Sequence, residues 1–182
     1  MDLQDYYQKA INFAGEKHAD QKIPGSNASY MVHLSNVAME VLEASRHSQA
    51  FDLQFAVQTA LLHDLLEDTS ATFEEIRENF GLNIAKAVLA LSKNEQLPAS
   101  EQIQDSLKRI KSEPKEVWAV KLADRISNMQ KPPQHWDINK INDYKKMAGI
   151  ILLQLKGGNA YLEQRLFKKI EAYNQYLQYS EF

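Results

Sequence analysis

The stretch Ala60-Leu61-Leu62-His63-Asp64-Leu65-Leu66-Glu67-Asp68-Thr69 sets an imidazole and three carboxylates inside an apolar run. Its leucines and alanines continue the helical spacing that starts near Leu53, which predicts a helix from about Leu53 to Glu67. An ionised carboxylate taken out of water is costly unless it is paired, hydrogen-bonded or bound to a metal. So much charge on a buried helix therefore needs a partner, and a divalent cation is the obvious one.

Working outward, apolar residues recur at helical spacing and alternating strand patterns are hard to find, so the class is all-α. A first helix covers Leu3 to Lys17, and Asp20 to Ser29, with Pro24, Gly25, Ser26 and Asn27, reads as a loop. A second helix begins near Met31 and carries His33, Val37, Ala38, Val41 and Leu42, placed to face the third. Thr72 and Glu75 make a capping box, and Gly81 is the stop that follows. Further helices are predicted near Ile84 to Leu91, Ser100 to Lys111, Pro114 to Asn128, Asn139 to Leu155 and Ala160 to Gln178. Pro98, Pro114 and the pair Pro132-Pro133 fall between them. Trp118 and the stripe Ile150, Ile151, Leu153 and Leu155 read as core. Whether Tyr173, Tyr176 and Tyr179 pack on the chain itself or on a partner stays open, as does assembly into a homo-oligomer.

The 182 residues, 44% hydrophobic and 25% charged, suit one globular domain with a sizeable core. A net charge of -3 gives no bulk attraction to polyanions, so a nucleic acid polymer is not an expected partner. Without cysteine there is no disulfide, no thiolate metal site and no cysteine nucleophile. The start Met1-Asp2-Leu3-Gln4-Asp5 lacks the basic and apolar regions of a secretory signal, and no run of about 18 apolar residues would span a membrane. The expectation is a soluble, cytoplasmic protein.

Imidazole and carboxylate ligands without sulfur suit Mn²⁺, Fe²⁺ or Zn²⁺. Besides His63 and Asp64, two candidates stand on other predicted helices: His33, and Asp124 in Val120-Lys121-Leu122-Ala123-Asp124-Arg125-Ile126. Singly, each has an ordinary alternative, a hydrogen-bonded core histidine for His33 and pairing with Arg125 or Lys121 for Asp124. Together, four buried polar groups are better explained by one metal than by four unrelated hydrogen-bond solutions. Glu67 and Asp68 lie four residues beyond His63 and Asp64, one helical turn along the same faces; a solvated helix end is the alternative.

The set His33, His63-Asp64 and Asp124 resembles the H…HD…D signature of the HD metal-dependent phosphohydrolase superfamily. Phe13-Ala14-Gly15-Glu16-Lys17-His18, Tyr30-Met31-Val32-His33, the stretch from Ala60 to Thr69, and Lys121-Leu122-Ala123-Asp124-Arg125-Ile126-Ser127-Asn128-Met129 are similar to the hydrolase domain of the RelA/SpoT alarmone family. The resemblance runs from about Ala10 to Leu166, and the closest size match is to the small, hydrolase-only members. It implies one HD hydrolase domain over residues 1–182 with its core at about 30–130, and one Mn²⁺, or another divalent metal, held by His33, His63, Asp64 and Asp124. The implied reaction is hydrolysis of guanosine 3′,5′-bis(diphosphate), ppGpp, by a metal-bound water, releasing pyrophosphate. Glu67 and Asp68 match the acidic pair that positions or deprotonates this water. Asn128 and Tyr144 match positions near the nucleoside; a helix-end cap and a core tyrosine are their plain alternatives. Lys121 is placed to reach a substrate phosphate and is equally explained as a surface lysine.

The chain departs from that family in the loop Ala19-Asp20-Gln21-Lys22-Ile23-Pro24-Gly25-Ser26, where Lys22 is the only cation left to meet substrate. A lysine lacks the planar guanidinium that stacks on a base. Ser92-Lys93-Asn94-Glu95 stands where the family often carries aspartates, and Ser29 precedes Tyr30 in place of a common proline. Two other readings thus remain: an HD phosphohydrolase for another nucleotide or phosphate ester, and a non-catalytic nucleotide-binding regulator. His18, His47 and His135 are expected to be structural or solvent-facing.

Overall fold

The computed structural model describes residues 2–177. Ten α-helices follow one another: α1 (Leu3–Lys17), α2 (Met31–Ser45), α3 (Leu53–Leu62), α4 (Leu65–Asp68), α5 (Phe73–Phe80), α6 (Leu82–Leu91), α7 (Ala99–Lys111), α8 (Lys115–Asn128), α9 (Ile138–Gln154) and α10 (Ala160–Ala172), closed by a 3-10 turn, Tyr173–Leu177. Among the described residues the only β pairing is an isolated bridge between Lys22 and Ser29. The fold is all-α, as the apolar periodicity requires.

The middle of the fold is α3. Every residue from Ala56 to Leu62 is buried, Gln58 and Thr59 included, as befits a helix that is apolar all round. It packs against α1, α2, α6 and α8. The second buried helix, α8, hides Val117 and every residue from Ala119 to Ile126 except Arg125, and touches α2, α3, α9 and α10. The apolar core is one contiguous cluster from Ala10 to Tyr173. Because α2, α3 and α8 meet pairwise, a polar side chain on their facing sides has only its counterparts to meet.

Local chemistry fixes the ends. Asp52 caps α3 by accepting from the Phe55 N–H, and Thr72 and Glu75 form the expected reciprocal box at α5. Gly81, at φ +89°, both ends α5 and opens α6, a backbone setting that glycine tolerates at least cost. Gly25, at φ +77°, has Pro133 3.3 Å from where a Cβ would stand, so the loop after α1 lies close on the segment before α9.

Three expectations are corrected. The helix through the charged stretch is not continuous: His63 Nδ1 lies 2.8 Å from the Ala60 carbonyl, the one the Asp64 N–H would use in an unbroken helix, and Asp64 turns to φ -98°, ψ 1°. The chain restarts as α4, with the Asp68 N–H bonded to the Asp64 carbonyl. On α9, Ile151 and Leu155, four residues apart, are buried, whereas Ile150 is 37% and Leu153 71% exposed, so half of the apolar stripe points outward. The last helix tightens to 3-10 geometry at Tyr173, which is buried and stacks edge-on with Tyr176; Tyr179 lies outside the described residues.

Candidate metal centre

Three segments deliver the four candidate ligands: α2 brings His33, the break after α3 brings His63 and Asp64, and α8 brings Asp124. Asp64 Oδ2 lies 2.8 Å from His63 Nε2 and 3.5 Å from His33 Nε2. Asp124 Oδ1 lies 3.6 Å from His33 Nε2 and 3.8 Å from His63 Nε2. Donor atoms of His33, His63 and Asp64 all fall within 4.8 Å of one another, and Asp124 closes the group from the α8 side.

The outer atoms of these rings are engaged and the inner ones are not. His63 Nδ1 points at the Ala60 carbonyl, which can only accept, so Nδ1 carries the proton. His33 Nδ1 is 3.1 Å from Ser127 Oγ. Both Nε2 atoms are buried with no hydrogen-bond partner. Two buried imidazole nitrogens aimed at two carboxylates, each ring oriented by its other nitrogen, make a set of donors that could hold a metal ion. The residues present fit a divalent cation of the Mn²⁺, Fe²⁺ or Zn²⁺ kind.

The carboxylates are held in turn. Tyr30 donates its hydroxyl to Asp64 Oδ2 at 2.6 Å. Lys121 Nζ donates to Asp124 Oδ2 at 3.0 Å and Asn128 Nδ2 to Asp124 Oδ1 at 2.6 Å. Burial opposes ionisation of both acids, but the imidazolium beside Asp64 and the ammonium beside Asp124 outweigh it and hold both carboxyls well below the usual range. For the Tyr30 hydroxyl, burial and the neighbouring Asp64 charge act together and push its pKa far up. Tyr30 thus stays a donor at any ordinary pH. Lys121 is only 9% exposed and its ammonium is committed to Asp124, the pairing left open as the plain explanation of that acid.

Glu67 and Asp68 diverge once the helix is broken. Glu67 turns toward the end of α6, where the Lys93 N–H and Nζ reach its two oxygens. Asp68 turns toward the loop after α1 and accepts from Gln21 Nε2 at 2.9 Å. The oxygen of the Gln21 side chain faces His18 Nδ1. His18 follows directly on α1, is 1% exposed and stacks on Tyr30, 5.1 Å between ring centroids, so of the two expected places it takes the structural one. Burial lowers its pKa. His47 stacks flat on Tyr161, and His135 is exposed. Lys22 is exposed on its loop. Tyr144 packs edge-on against Trp136, with the Arg125 guanidinium 4.5 Å above its ring.

Tyr30 and Ser127 had a signal in the sequence, standing three residues before His33 and three after Asp124, one turn away on the same faces. Gln21 and Lys93 stand in segments whose departures from the family were visible, but their contacts with Asp68 and Glu67 had no signal, because those partners lie 47 and 26 residues away.

Residues 10–146 match the HD domain family. The guanosine-3′,5′-bis(diphosphate) 3′-pyrophosphohydrolase MESH1 of Danio rerio is 30% identical over 163 residues, 87% of this chain and 88% of the relative. A guanosine-3′,5′-bis(diphosphate) 3′-pyrophosphohydrolase of Aquifex aeolicus is 37% identical over 126 residues, 68% of this chain but 17% of that longer protein. A solved structure, described as a metazoan ortholog of SpoT that hydrolyzes ppGpp and plays a role in starvation responses, shares the fold with a TM-score of 0.80 at 24% identity, covering 94% of this chain and 96% of the other. With two buried imidazole nitrogens facing two carboxylates and a family match from the middle of α1 into α9, the chain belongs to the HD domain family.

Proposed function

We propose that this chain is a Mn²⁺-dependent phosphohydrolase that cleaves guanosine 3′,5′-bis(diphosphate) at the ribose 3′ oxygen and releases pyrophosphate, acting in the cytoplasm as one HD hydrolase domain. The observation that carries the reading is the pair of buried, unpartnered Nε2 atoms of His33 and His63 facing Asp64 and Asp124. Without a hydrogen bond, both Nε2 atoms face carboxylate oxygens at 2.8–3.8 Å, and a bound cation would take them and the carboxylates as ligands together. The names of the relatives support the choice of substrate.

His33, His63, Asp64 and Asp124 would hold the metal. A divalent cation there acidifies water toward neutral pH and offsets charge on phosphoryl oxygens. Tyr30 fixes the Asp64 carboxylate, and Lys121 and Asn128 fix that of Asp124, so in this reading Lys121 and Asn128 serve the substrate through the ligand they hold. Glu67 orients the attacking water and accepts its proton at a carboxylate oxygen, and Asp68 supports it from the other side. Lys93 and Gln21 keep the pair apart and aimed. Lys22 and Tyr144 are left for the nucleotide.

The exposed Lys22 favours a second reading, an HD phosphohydrolase for a different nucleotide or phosphate ester, because the loop before α2 offers no guanidinium to a guanine. Phosphorus NMR of the manganese-loaded protein with ppGpp separates the two. Pyrophosphate release abolished by chelator is expected; metal-bound protein that releases none would overturn ppGpp as the substrate.

A further inference from the structure

The chain has five arginines, and four of them meet a carboxylate: Arg46 with Glu43, Arg77 with Glu74, Arg109 with Asp105 and Arg165 with Glu40. Arg125 has no acidic partner among the described residues. Its Nε and Nη1 are buried and make no hydrogen bond. Taking a guanidinium out of water without an anion is costly, since its charge and its donors both go unanswered. The cation over Tyr144 offsets part of this through the ring face. The ring cannot accept the in-plane N–H groups, and those remain open.

Place adds to chemistry. Arg125 follows Asp124 directly on α8, and Tyr144 below it belongs to an aromatic wall with Trp136 and Tyr173. The wall borders the candidate metal centre: burial raises the Tyr144 hydroxyl pKa, and charges felt there include Arg125, Asp124 and Lys93. A guanidinium stacked on one face, with buried Nε and Nη1 donors left unpartnered, has the unmet fork that phosphate oxygens match.

We infer that Arg125 binds the phosphate group of the nucleotide that is not cleaved, the 5′-diphosphate of the proposed substrate. The inference rests on the nucleotide reading of the site. A substrate with two diphosphates needs a second anion receptor once the metal takes the 3′ group. The loop before α2 supplies only exposed Lys22, whereas α8 supplies a half-buried guanidinium with no other duty. Arg125 thereby makes the site select for nucleoside 5′-phosphates over nucleosides.

The test compares GDP with guanosine as calorimetric ligands of the manganese-loaded full chain, in wild type, Arg125→Met and Arg125→Lys. Wild type should prefer GDP, and Arg125→Met should shrink that preference at least about tenfold while leaving guanosine affinity alone. Arg125→Lys keeps a cation over Tyr144 but loses the fork, so an intermediate preference is expected, and this variant carries the test if the methionine variant fails to fold. An unchanged GDP-to-guanosine ratio in the variants overturns the inference, as does wild type without a preference for GDP. Equal loss of both ligands overturns it too, because it reports a disturbed pocket. Pyrophosphate release from ppGpp by wild type reports separately on the substrate reading, so an active enzyme whose GDP preference ignores Arg125 refutes only this inference.

Discussion

Lys93 grips both oxygens of Glu67, its main-chain N–H at 2.8 Å from Oε1 and its ammonium at 2.8 Å from Oε2. Burial disfavours the Lys93 charge, yet the hydrogen bond and the charge of Glu67 prevail and its pKa is raised. A carboxylate held this way is aimed without being a metal ligand. Glu67→Gln preserves shape and removes the base, so turnover should fall by about 10²–10⁴, with manganese affinity unchanged in calorimetric titration. A variant that keeps its turnover would remove Glu67 from the chemistry.

Tyr30 is the only hydroxyl bonded to Asp64 among the described residues. Tyr30→Phe leaves the ring stacked on His18 but frees the carboxylate to turn. Outer partners of metal ligands typically matter by about 10–100-fold in affinity, and a drop of that size is expected in a Mn²⁺ titration, with the melting temperature of the metal-free protein little changed. Equal affinities for the two proteins would show that Tyr30 is only a packing residue.

The all-α class, the capping box at Thr72 and the helices on which His33, His63 and Asp124 stand or end were legible in the sequence because each depends on near neighbours: apolar spacing for α2, α3 and α8, a three-residue interval for Thr72 and Glu75. The break at His63 was not legible, since nothing in the local pattern says that an imidazole will take the Ala60 carbonyl from the next N–H. The same limit hid the Gln21–Asp68 contact and Lys93, whose partners come from elsewhere in the fold. At the end of α9, five apolar residues within the six positions 150–155 suit more than one face, and only packing against α8 and α10 decides that Ile151 and Leu155 turn inward.

That choice of face has a measurable consequence. Leu61, fully buried in the middle of α3, should lose about 2–5 kcal/mol of stability on replacement by alanine. Leu153→Ala, at a position 71% exposed, should stay within about 0.5 kcal/mol. Urea unfolding of the two variants checks both, and a large loss at Leu153 would mean that its face is covered in solution.

Metal binding should expel a proton. In the metal-free protein burial opposes a charged His63, but Asp64 beside it and Asp124 behind it push its pKa up to about 10 from an ordinary 6.5. Since Nδ1 is bonded to the Ala60 carbonyl, the proton gained sits on Nε2, the atom the cation needs. Between pH 6.5 and about 10 manganese must displace it, so affinity should climb about tenfold per pH unit. A folded-state pKa above the unfolded one also means that this charge stabilises the metal-free protein fully below pH 6.5, and that the stabilisation fades as pH rises toward about 10. Asp64 and Asp124 behave oppositely, their stabilisation being lost only as acid protonates them. Calorimetry at pH 7.5 in two buffers of different ionisation enthalpy should count close to one proton released per Mn²⁺ bound, and melts in chelator should weaken from pH 6.5 to 9. No proton release at pH 7.5 would show that His63 is already neutral in the metal-free protein, and that Asp64 and Asp124 repel each other there with no cation between them.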